Sequence, residues 1–346
     1  MIVVNSRFLT QRISGVQRYA IEICKYLPKK INNHTVFFVA PKGKLINQDV
    51  LPDVNIVQIG NFKNNLWEQI DLVKYLKKNA NPLLINFGGI GPVNYQNKIT
   101  FIHDLSFKYY PKHYSFLFQK AYNTFIPQSA RNSKKIITVS NYVKDDIEKS
   151  YGLKNIEVIY PAVNDRFRDL KRKREKLIIS VSSMNPRKNI KALIEAFNRI
   201  KSDYKLVFIG GEANVYTSLH IDPTKYKNIH FTGYVSDQEL IEFYNKASIF
   251  VYPSTFEGFG IPPLEAQACG CPCLVSNVTS LPEVCLSSAE YCDPFSINSI
   301  MKGLEKLIND PKRRTELGVL GVTNINRFGW RKSAKKLVGV IEKTLD

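Results

Sequence analysis

The sequence lacks several features that would place it in other classes of protein. No apolar run approaches the ~18 residues that a membrane-spanning helix needs. A signal peptide is not expected either, because Met1-Ile2-Val3-Val4 predicts a strand at once. Six cysteines are too few and too irregularly spaced for a disulfide scaffold, and none form the C-x-x-C pairs typical of zinc sites. We therefore expect buried free thiols and a cytoplasmic location.

Acidic residues are also scarce. The chain holds 49 Lys and Arg against 30 Asp and Glu, which gives a formal net charge of +19. The excess is spread along the chain, because residues 1–165 carry 22 basic against 11 acidic side chains and the remainder carries 27 against 19. Such a charge favours an anionic partner: nucleic acid, anionic lipid or a phosphorylated substrate. No recognisable nucleic-acid reader with interleaved aromatic residues is present, so we expect no nucleic-acid partner.

Segments typical of strands and of helices alternate in both halves of the chain. This alternation predicts an α/β fold with parallel sheets covered by helices on both faces. Hydrophobic residues make up 44% of the 346 residues, enough for the cores of two domains. Residues 166–176 are rich in Arg and Lys and poor in apolar side chains, which is typical of a linker. We predict one domain over residues 1–166 and a second over residues 167–329.

One stretch of the second half combines a glycine loop with two carboxylates. Ala247–Tyr252 is a short apolar run that predicts a buried strand, and Gly258 and Gly260 after it let the backbone approach a ligand closely. A helix is predicted to follow, and its N-terminus favours an anion. Glu257 in the loop and Glu265 in the first helical turn can accept hydrogen bonds from hydroxyls. Hydrogen-bond donors for a phosphate, next to hydrogen-bond acceptors for hydroxyls, suit a sugar nucleotide as the ligand.

Other candidate contacts lie at three places. His103 ends a predicted strand, and strand ends are where α/β domains meet their ligands. Arg187 and Lys188 precede a predicted helix. The planar guanidinium of arginine and the compact ammonium of lysine both suit a diphosphate. Gly15 opens an amphipathic helix. The alternatives are a histidine that only caps a loop, a solvated basic turn, and a helix start without a ligand.

Glu257 and Glu265 form a Glu-x7-Glu pair, set in Phe256-Glu257-Gly258-Phe259-Gly260 and Leu264-Glu265-Ala266. With these motifs the chain resembles the retaining GT-B glycosyltransferases of family 4. Leu66-Trp67-Glu68-Gln69 is similar to a motif of the mannosyltransferase-like subgroup that builds surface polysaccharides. The resemblance implies two Rossmann-like parallel-sheet domains facing across a cleft. It also implies that residues 1–166 bind the acceptor, that residues 167–329 bind the donor, and that residues 330–346 pack back on the first domain.

The resemblance also implies a role for each candidate residue. Glu265 would hold the ribose hydroxyls and Glu257 the transferred sugar. His103 would support that sugar as positive charge develops on it. Two basic side chains, Arg187 and Lys188, would bind the diphosphate. The backbone amides of Phe259, Gly260 and Ile261 would lie near the sugar, and Gly15 near the donor phosphate or the acceptor. No Asp-x-Asp motif occurs, so we expect no metal and no cofactor beyond the nucleotide sugar.

The function that the resemblance implies is transfer of a hexose, with retention, from a nucleotide diphosphate sugar to a hydroxyl of a glycan or lipid-linked glycan. GDP-mannose is the first expectation for the donor, in the synthesis of a surface polysaccharide such as O-antigen or capsule. A UDP-hexose is the alternative. The leaving phosphate, rather than a protein side chain, is expected to deprotonate the acceptor. A sugar-nucleotide epimerase, a phosphorylase, and a non-catalytic polysaccharide- or nucleic-acid-binding protein account less well for the Glu-x7-Glu context.

A basic and aromatic segment of the first half predicts contact with a membrane surface. Its lysines are Lys108, Lys112 and Lys120, and its aromatic residues include Tyr109, Phe116 and Phe118. Lysines attract anionic lipid, and aromatic side chains anchor amphipathic segments in the interface. We expect peripheral, salt-sensitive association with the inner face of the plasma membrane. The alternative is that the aromatic residues belong to the core and the lysines are merely solvated.

Overall fold

The computed structural model describes residues 1–47, 51, 54–181, 185–211 and 226–345. The chain divides into two compact units, Met1–Pro161 with Trp330–Asp346, and Ala162–Gly329. The boundary thus lies after Pro161 rather than at residue 166. The reason is a turn that leads into the second unit: the Phe167 N–H donates to Asn164 O at 2.9 Å, and the Phe167 ring packs edge-on against Tyr244 at 6.0 Å. No helix among the described residues is long and apolar enough to cross a membrane.

The first unit is built on one sheet, in which the described strands are β1 to β8: Ile2–Asn5, Lys30–Ile31, His34–Pro41, Ile56–Ile59, Leu83–Asn86, Lys98–Ile102, Lys135–Thr138 and Ile156–Val158. The strand order is β2-β3-β1-β5-β6-β7-β8, with β4 also paired to β3. All of these pairs are parallel except β2 with β3. The β2–β3 hairpin is a departure from the purely parallel sheet that the sequence predicts. Its turn is made by Asn32 and Asn33, whose φ angles are 43° and 61°.

The helices of the first unit are α1 to α6, followed by the C-terminal helix: Gly15–Cys24, Asn64–Trp67, Val73–Lys78, Ser106–Tyr109, Phe116–Arg131, Asn141–Tyr151 and Trp330–Leu345. A π-helical turn, Glu68–Leu72, joins α2 to α3. Ser140 caps α6 by accepting a hydrogen bond from the Val143 N–H at 3.2 Å. Gly152 ends α6 with φ 63°, the left-handed conformation that favours glycine. A capping serine and a left-handed glycine therefore define the two ends of α6.

Aromatic packing attaches the C-terminal helix to the first unit. The Tyr19 ring meets the Trp330 ring edge-on at 5.5 Å and lies 5.7 Å from the Phe101 ring. Ser333 Oγ donates to Tyr160 O at 2.6 Å. These contacts join residues that are far apart in sequence, so the core of this unit needs both ends of the chain.

The second unit has an entirely parallel sheet among the described residues, with strands β9 to β14: Glu175–Val181, Lys205–Ile209, Ile229–Gly233, Ala247–Tyr252, Cys273–Ser276 and Glu290–Cys292. The strand order is β11-β10-β9-β12-β13-β14. Its described helices are α7 to α12: Ile190–Asn198, Asp237–Lys246, Ile261–Ala268, Leu281–Cys285, Ile297–Asn309 and Pro311–Asn324. All six cysteines of the chain are free and buried, as expected from their spacing.

The second unit buries the apolar faces of α7 and α11 against its sheet. Ile190 and Leu193 of α7 and Leu304 of α11 lie in one core cluster with Phe208 and Val251 of the strands. The central strands β12 and β13 are buried on both faces, as a parallel sheet covered by helices requires. This layer positions the short turn Pro186–Lys188 and the loop after β12, where the candidate site lies.

Candidate active site

A buried ion pair lies at the centre of the candidate site. Lys188 ends a short helical turn that begins after Asn185, whose side chain accepts a hydrogen bond from the Arg187 N–H at 3.1 Å. The Lys188 ammonium donates to Glu257 Oε1 at 2.5 Å and to Tyr252 Oη at 2.5 Å. Lys188 is 9% exposed and Glu257 is 6% exposed, so the two charges interact with little water around them.

The charges around Glu257 keep it ionised. Burial opposes ionisation, but the positive charges of Lys188 and Arg187 outweigh it and hold the pKa of this carboxyl below its ordinary value. Burial and the nearby Glu257 raise the pKa of Tyr252 well above its ordinary value. The Tyr252 phenol therefore stays protonated and accepts the Lys188 hydrogen bond with its oxygen.

The loop that carries Glu257 is held on both sides by backbone contacts. The Glu257 N–H donates to Thr279 Oγ1 at 3.2 Å, and the buried Ser280 hydroxyl donates to the carbonyls of Glu257 and Phe259 at 3.0 and 2.9 Å. The Thr255 N–H donates to Arg187 O at 2.8 Å, which ties the glutamate loop to the basic turn. The two turns therefore act as one structural element.

Gly260, the N-cap residue of α9, is under a steric constraint. Its φ is 100°, and a Cβ added there would lie 2.6 Å from Leu281 Cδ2. Glycine is therefore required for both conformation and space. Phe259 before it packs edge-on against Phe328 at 5.5 Å, and Ile261 is the first residue of the helix. The three backbone amides predicted for the transferred sugar thus lie at a helix N-terminus.

Glu265 lies one turn into α9, rather than in its first turn as the sequence predicts. It is 7% exposed and accepts a hydrogen bond from Tyr244 Oη at 3.1 Å. Burial and the neighbouring Glu265 raise the pKa of Tyr244 well above its ordinary value, so Tyr244 remains a donor. This contact fixes the position of the Glu265 carboxylate before any ligand binds.

His103 belongs to the first unit and follows β6. Its Nε2 lies 2.6 Å from Phe87 O, and its ring packs edge-on against Tyr19 at 5.2 Å. A carbonyl oxygen can only accept, so Nε2 carries the proton. Burial lowers the pKa of His103, although the bond to Phe87 and the charge of Asp104 act in the opposite direction. The ring is therefore held neutral, with Nδ1 as the hydrogen-bond acceptor.

Gly15 is the first residue of α1, also in the first unit. The preceding turn is closed by the Ser14 N–H, which donates to Gln17 Oε1 at 3.1 Å. A Cβ added at Gly15 would meet no atom within 4 Å. The fold of this unit therefore does not itself require glycine at this position.

The structure thus brings the second-unit candidates close to one loop and one helix start, whereas Gly15 and His103 lie in the first unit. Three contributors were not predicted: Tyr252, Tyr244 and Ser280. Each contacts a residue at least 21 positions away in the sequence, and local spacing carries no signal for such contacts. Tyr252 was visible only as the last residue of a buried strand, where a polar hydroxyl indicates a specific partner.

Two family models match most of the chain. The model described as Glycosyltransferase Family 4 matches residues 13–167, and the model described as Glycosyl transferases group 1 matches residues 163–319. The chain belongs to glycosyltransferase family 4. Lys188, Glu257 and Glu265 all lie within the second match, and His103 lies within the first.

Curated relatives of this family 4 chain include two O-antigen chain mannosyltransferases. The one from Salmonella typhimurium is 35% identical over 221 residues, which cover 61% of this chain and 62% of that protein. The one from Escherichia coli is 27% identical over 272 residues, which cover 71% of this chain and 70% of that protein. The match to the Salmonella protein therefore spans about three fifths of its length.

Solved glycosyltransferases share the fold of the family 4 chain. HepE of Anabaena, crystallised with UDP-glucose, has a TM-score of 0.76 and 14% identity, and the match covers 99% of each chain. At this identity the likeness concerns the fold alone. Together with the two parallel sheets described above, it confirms the predicted GT-B class.

Proposed function

We propose that this glycosyltransferase is a retaining, metal-independent mannosyltransferase. It moves mannose from GDP-mannose to a hydroxyl of a glycan or lipid-linked glycan in the synthesis of a surface polysaccharide. The buried contact of Lys188 with Glu257, tied to the start of α9, carries the proposal. Support for mannose comes from the names of the Salmonella and Escherichia relatives, which are O-antigen chain mannosyltransferases.

The donor diphosphate binds at the basic turn in this proposal. Arg187 and Lys188 provide the positive charge that a metal provides in other enzymes, and the N-terminus of α9 adds the partial charge of its free N–H groups. Lys188 then contacts both the diphosphate and Glu257. This bridging favours departure of the nucleotide, because negative charge grows on the phosphate as the sugar bond breaks.

The two glutamates and the histidine bind hydroxyls in this proposal. Glu257, held ionised, accepts a hydrogen bond from the transferred sugar, and Glu265 accepts from the ribose. His103 presents Nδ1 as an acceptor because Nε2 is committed to Phe87 O. A neutral imidazole of this tautomer suits a sugar hydroxyl, and it adds no charge that would oppose the positive charge developing on the sugar ring. The leaving phosphate removes the acceptor proton.

The nucleotide is tested by thermal shift with GDP, UDP, ADP and dTDP, because a ligand that binds the folded state raises its stability. GDP is expected to give the largest shift, and transfer of radiolabelled mannose from GDP-mannose to a mannosylated acceptor should follow. A UDP-hexose is the second candidate, favoured by the UDP-glucose complex of the similarly folded Anabaena protein. A larger shift with UDP, together with transfer from a UDP-hexose, would replace mannose in the proposal.

We propose a cytoplasmic protein that associates peripherally with an anionic membrane. Phe116 and Leu117, at the start of α5, are 75% and 77% exposed, and Lys112 and Lys120 on either side of them are exposed as well. Apolar side chains flanked by lysines fit the interface of an anionic bilayer. Phe118, which the sequence places at this surface, instead stacks with neighbouring tyrosine rings at 5.0 and 3.9 Å.

A further inference from the structure

The strand order in the sheet of the first unit reverses between β1 and β5. Strands β3 and β4 lie on one side of β1, and β5 to β8 lie on the other. In open α/β sheets, ligands bind outside the carboxyl ends of the strands at such a switch point. Asn5 ends β1 and Asn86 ends β5; they are register partners, and Asn5 Nδ2 donates to Asn86 Oδ1 at 2.7 Å.

An ion pair between Arg7 and Glu68 lies at this switch point. Arg7 Nε is 3.1 Å from Glu68 Oε1, and Asn5 Nδ2 donates to the same oxygen at 2.9 Å. The Glu68 side chain is 1% exposed and that of Arg7 is 15% exposed. Burial raises the pKa of Glu68, although the charge of Arg7 and the donors of Asn5 and Gly91 act in the opposite direction. Glu68 Oε2 itself has no donor in hydrogen-bond geometry among the described residues. One buried acceptor is therefore left for another partner.

Glycine backbone without side chains borders one side of the ion pair. Gly89 is partly exposed, with φ 71°, and a Cβ added there would lie 3.1 Å from Arg7 Nη2 and 4.0 Å from Glu68 Oε2. A Cβ added at Gly88 would lie 2.8 Å from Val16 Cγ1 and 3.8 Å from the ring of His103. Any side chain at these positions would occupy the space next to Arg7, Glu68 and His103.

The loop after β5 is fixed in place by side chains that bind its carbonyls. Lys98 Nζ, which is fully buried, donates to Pro92 O at 2.6 Å, and Asn132 Nδ2 donates to Val93 O at 3.0 Å. Three more side chains donate to carbonyls nearer the start of the loop. Asn86 donates to Gly88 O, Gln69 to Gly91 O and His103 to Phe87 O. A loop held at so many points is a preorganised wall for a ligand.

We propose that Arg7 and Glu68 form a subsite for two neighbouring hydroxyls of the acceptor sugar. One hydroxyl donates to Glu68 Oε2 and the adjacent one accepts from Arg7 Nη2, which is a pairing that a vicinal diol satisfies. Because Glu68 neutralises Arg7, the subsite favours an uncharged pyranoside over a phosphate group. This subsite would supply the acceptor contacts of the mannosyltransferase, so it rests on the proposed function.

The test measures acceptor and donor KM separately, with full-length protein, GDP-mannose and p-nitrophenyl α-mannoside. Glu68→Gln and Arg7→Met are each expected to raise the acceptor KM roughly tenfold or more, because each removes a charge-assisted hydrogen bond. The donor KM should move far less. One monodeoxy analogue of the acceptor lacks the hydroxyl that Glu68 binds. The KM of this analogue should be the same for wild type and Glu68→Gln.

Glu157→Gln is the matched control, because Glu157 forms a partly exposed ion pair with Lys135 in the same unit. It should leave both KM values unchanged. Equal acceptor KM for wild type and Glu68→Gln, or equal rises in donor and acceptor KM, would overturn the subsite. If wild type transfers mannose to no glycoside, the proposed function itself fails. The subsite is then judged by saturation-transfer NMR with p-nitrophenyl α-mannoside, where equal signals for wild type and Glu68→Gln reject it and a weaker signal for the variant supports it.

Discussion

Lys188 donates a hydrogen bond of 2.5 Å to Glu257, and both side chains are buried. The family resemblance gives them separate partners, the lysine on the diphosphate and the glutamate on the transferred sugar. Their direct contact couples these roles, because any anion that binds Lys188 shares it with Glu257. A substitution at either position therefore changes the environment of the other as well as its own ligand contact.

Lys188→Ala is expected to lower transfer roughly ten- to a hundredfold, because it removes a charge-assisted contact to the donor. It should also lower the melting temperature, since Glu257 is left buried without its main counter-charge. Lys191→Ala is the control: Lys191 is an exposed lysine of α7, close in sequence. Initial rates with GDP-mannose and thermal melts are the measurements. Equal rates for both variants would contradict the placement of Lys188 at the diphosphate.

Glu265→Ala and Glu257→Ala should fail in different ways. Glu265 binds the ribose before and during the reaction, so its loss should mainly raise the donor KM. Glu257 lies beside the sugar, where its contact tightens as positive charge develops, so its loss should mainly lower kcat. Steady-state kinetics with varied donor separates the two. An unchanged kcat in Glu257→Ala, with a raised KM, would show that Glu257 contributes only to binding.

Chelation should leave the enzyme active. The proposed diphosphate site uses Arg187, Lys188 and a helix N-terminus, so transfer after dialysis against EDTA should remain close to the untreated rate. The assay is repeated with added magnesium and manganese. Loss of activity with EDTA that either metal restores would replace this mechanism with a metal-dependent one.

Lys98 should make the stability of the first unit depend on pH. The side chain is fully buried, and burial lowers the pKa of Lys98 to about 7. Above that pH the unfolded chain still binds a proton that the folded chain has released, so wild-type stability rises with pH up to the unfolded pKa. Lys98→Met lacks this gain. The unfolding free energy of wild type relative to the variant should rise by roughly 2–3 kcal/mol between pH ~7 and ~9.5.

Tryptophan fluorescence is the appropriate probe, because Trp67 and Trp330 both lie in the first unit. Denaturant unfolding of wild type and Lys98→Met is compared at the two pH values. Lys77→Met, at an exposed position of α3, should show no such change with pH. A difference between wild type and Lys98→Met that is independent of pH would show that Lys98 keeps an ordinary pKa.

Changing Lys108, Lys112 and Lys120 to Glu should weaken co-sedimentation with anionic vesicles. Each basic residue near the surface contributes about 1 kcal/mol, and salt screens that attraction. Lys108 is expected to contribute least, because its ammonium donates to Ser150 Oγ at 2.7 Å. Phe116→Ser should weaken binding even at low salt, because that side chain is 75% exposed.

The vesicle experiment has a matched control in Lys74, Lys77 and Lys78, which are exposed residues of α3. Changing them to Glu alters the net charge equally, at another surface of the same unit. Equal losses in both triple variants would show a general charge effect rather than a defined membrane surface. Absence of wild-type co-sedimentation at low salt would leave a water-soluble acceptor as the better proposal.

The parts of the fold that follow from local pattern were predictable. For helix Asn141–Tyr151 the sequence itself marks both ends, with Ser140 as the N-cap and Gly152 in the left-handed conformation after the last turn. The β2–β3 hairpin was missed although Asn32-Asn33 is a sequence typical of a tight turn with positive φ. The bounds of helix Phe116–Arg131 do not follow from local pattern, because Pro127 lies within it and proline usually ends a helix.

The candidate site was predictable only as a set of separate residues. The sequence places Lys188 before one helix and Glu257 in the loop before another, and each position follows from glycine, proline and charge patterns. Their mutual hydrogen bond joins residues far apart in sequence, and Tyr252 completes it from the end of β12. Such contacts depend on strand order, which local spacing does not encode.

The first unit is discontinuous, since residues 162–329 separate Pro161 from Trp330. A ribosome therefore completes the second unit before it delivers the helix that the first unit needs. Until then Tyr19 lacks its contact with Trp330, and the Tyr160 carbonyl lacks the Ser333 hydroxyl. The half of the chain that is synthesised first is thus the half that finishes folding last, and the second unit can become native while the first still waits for its final helix.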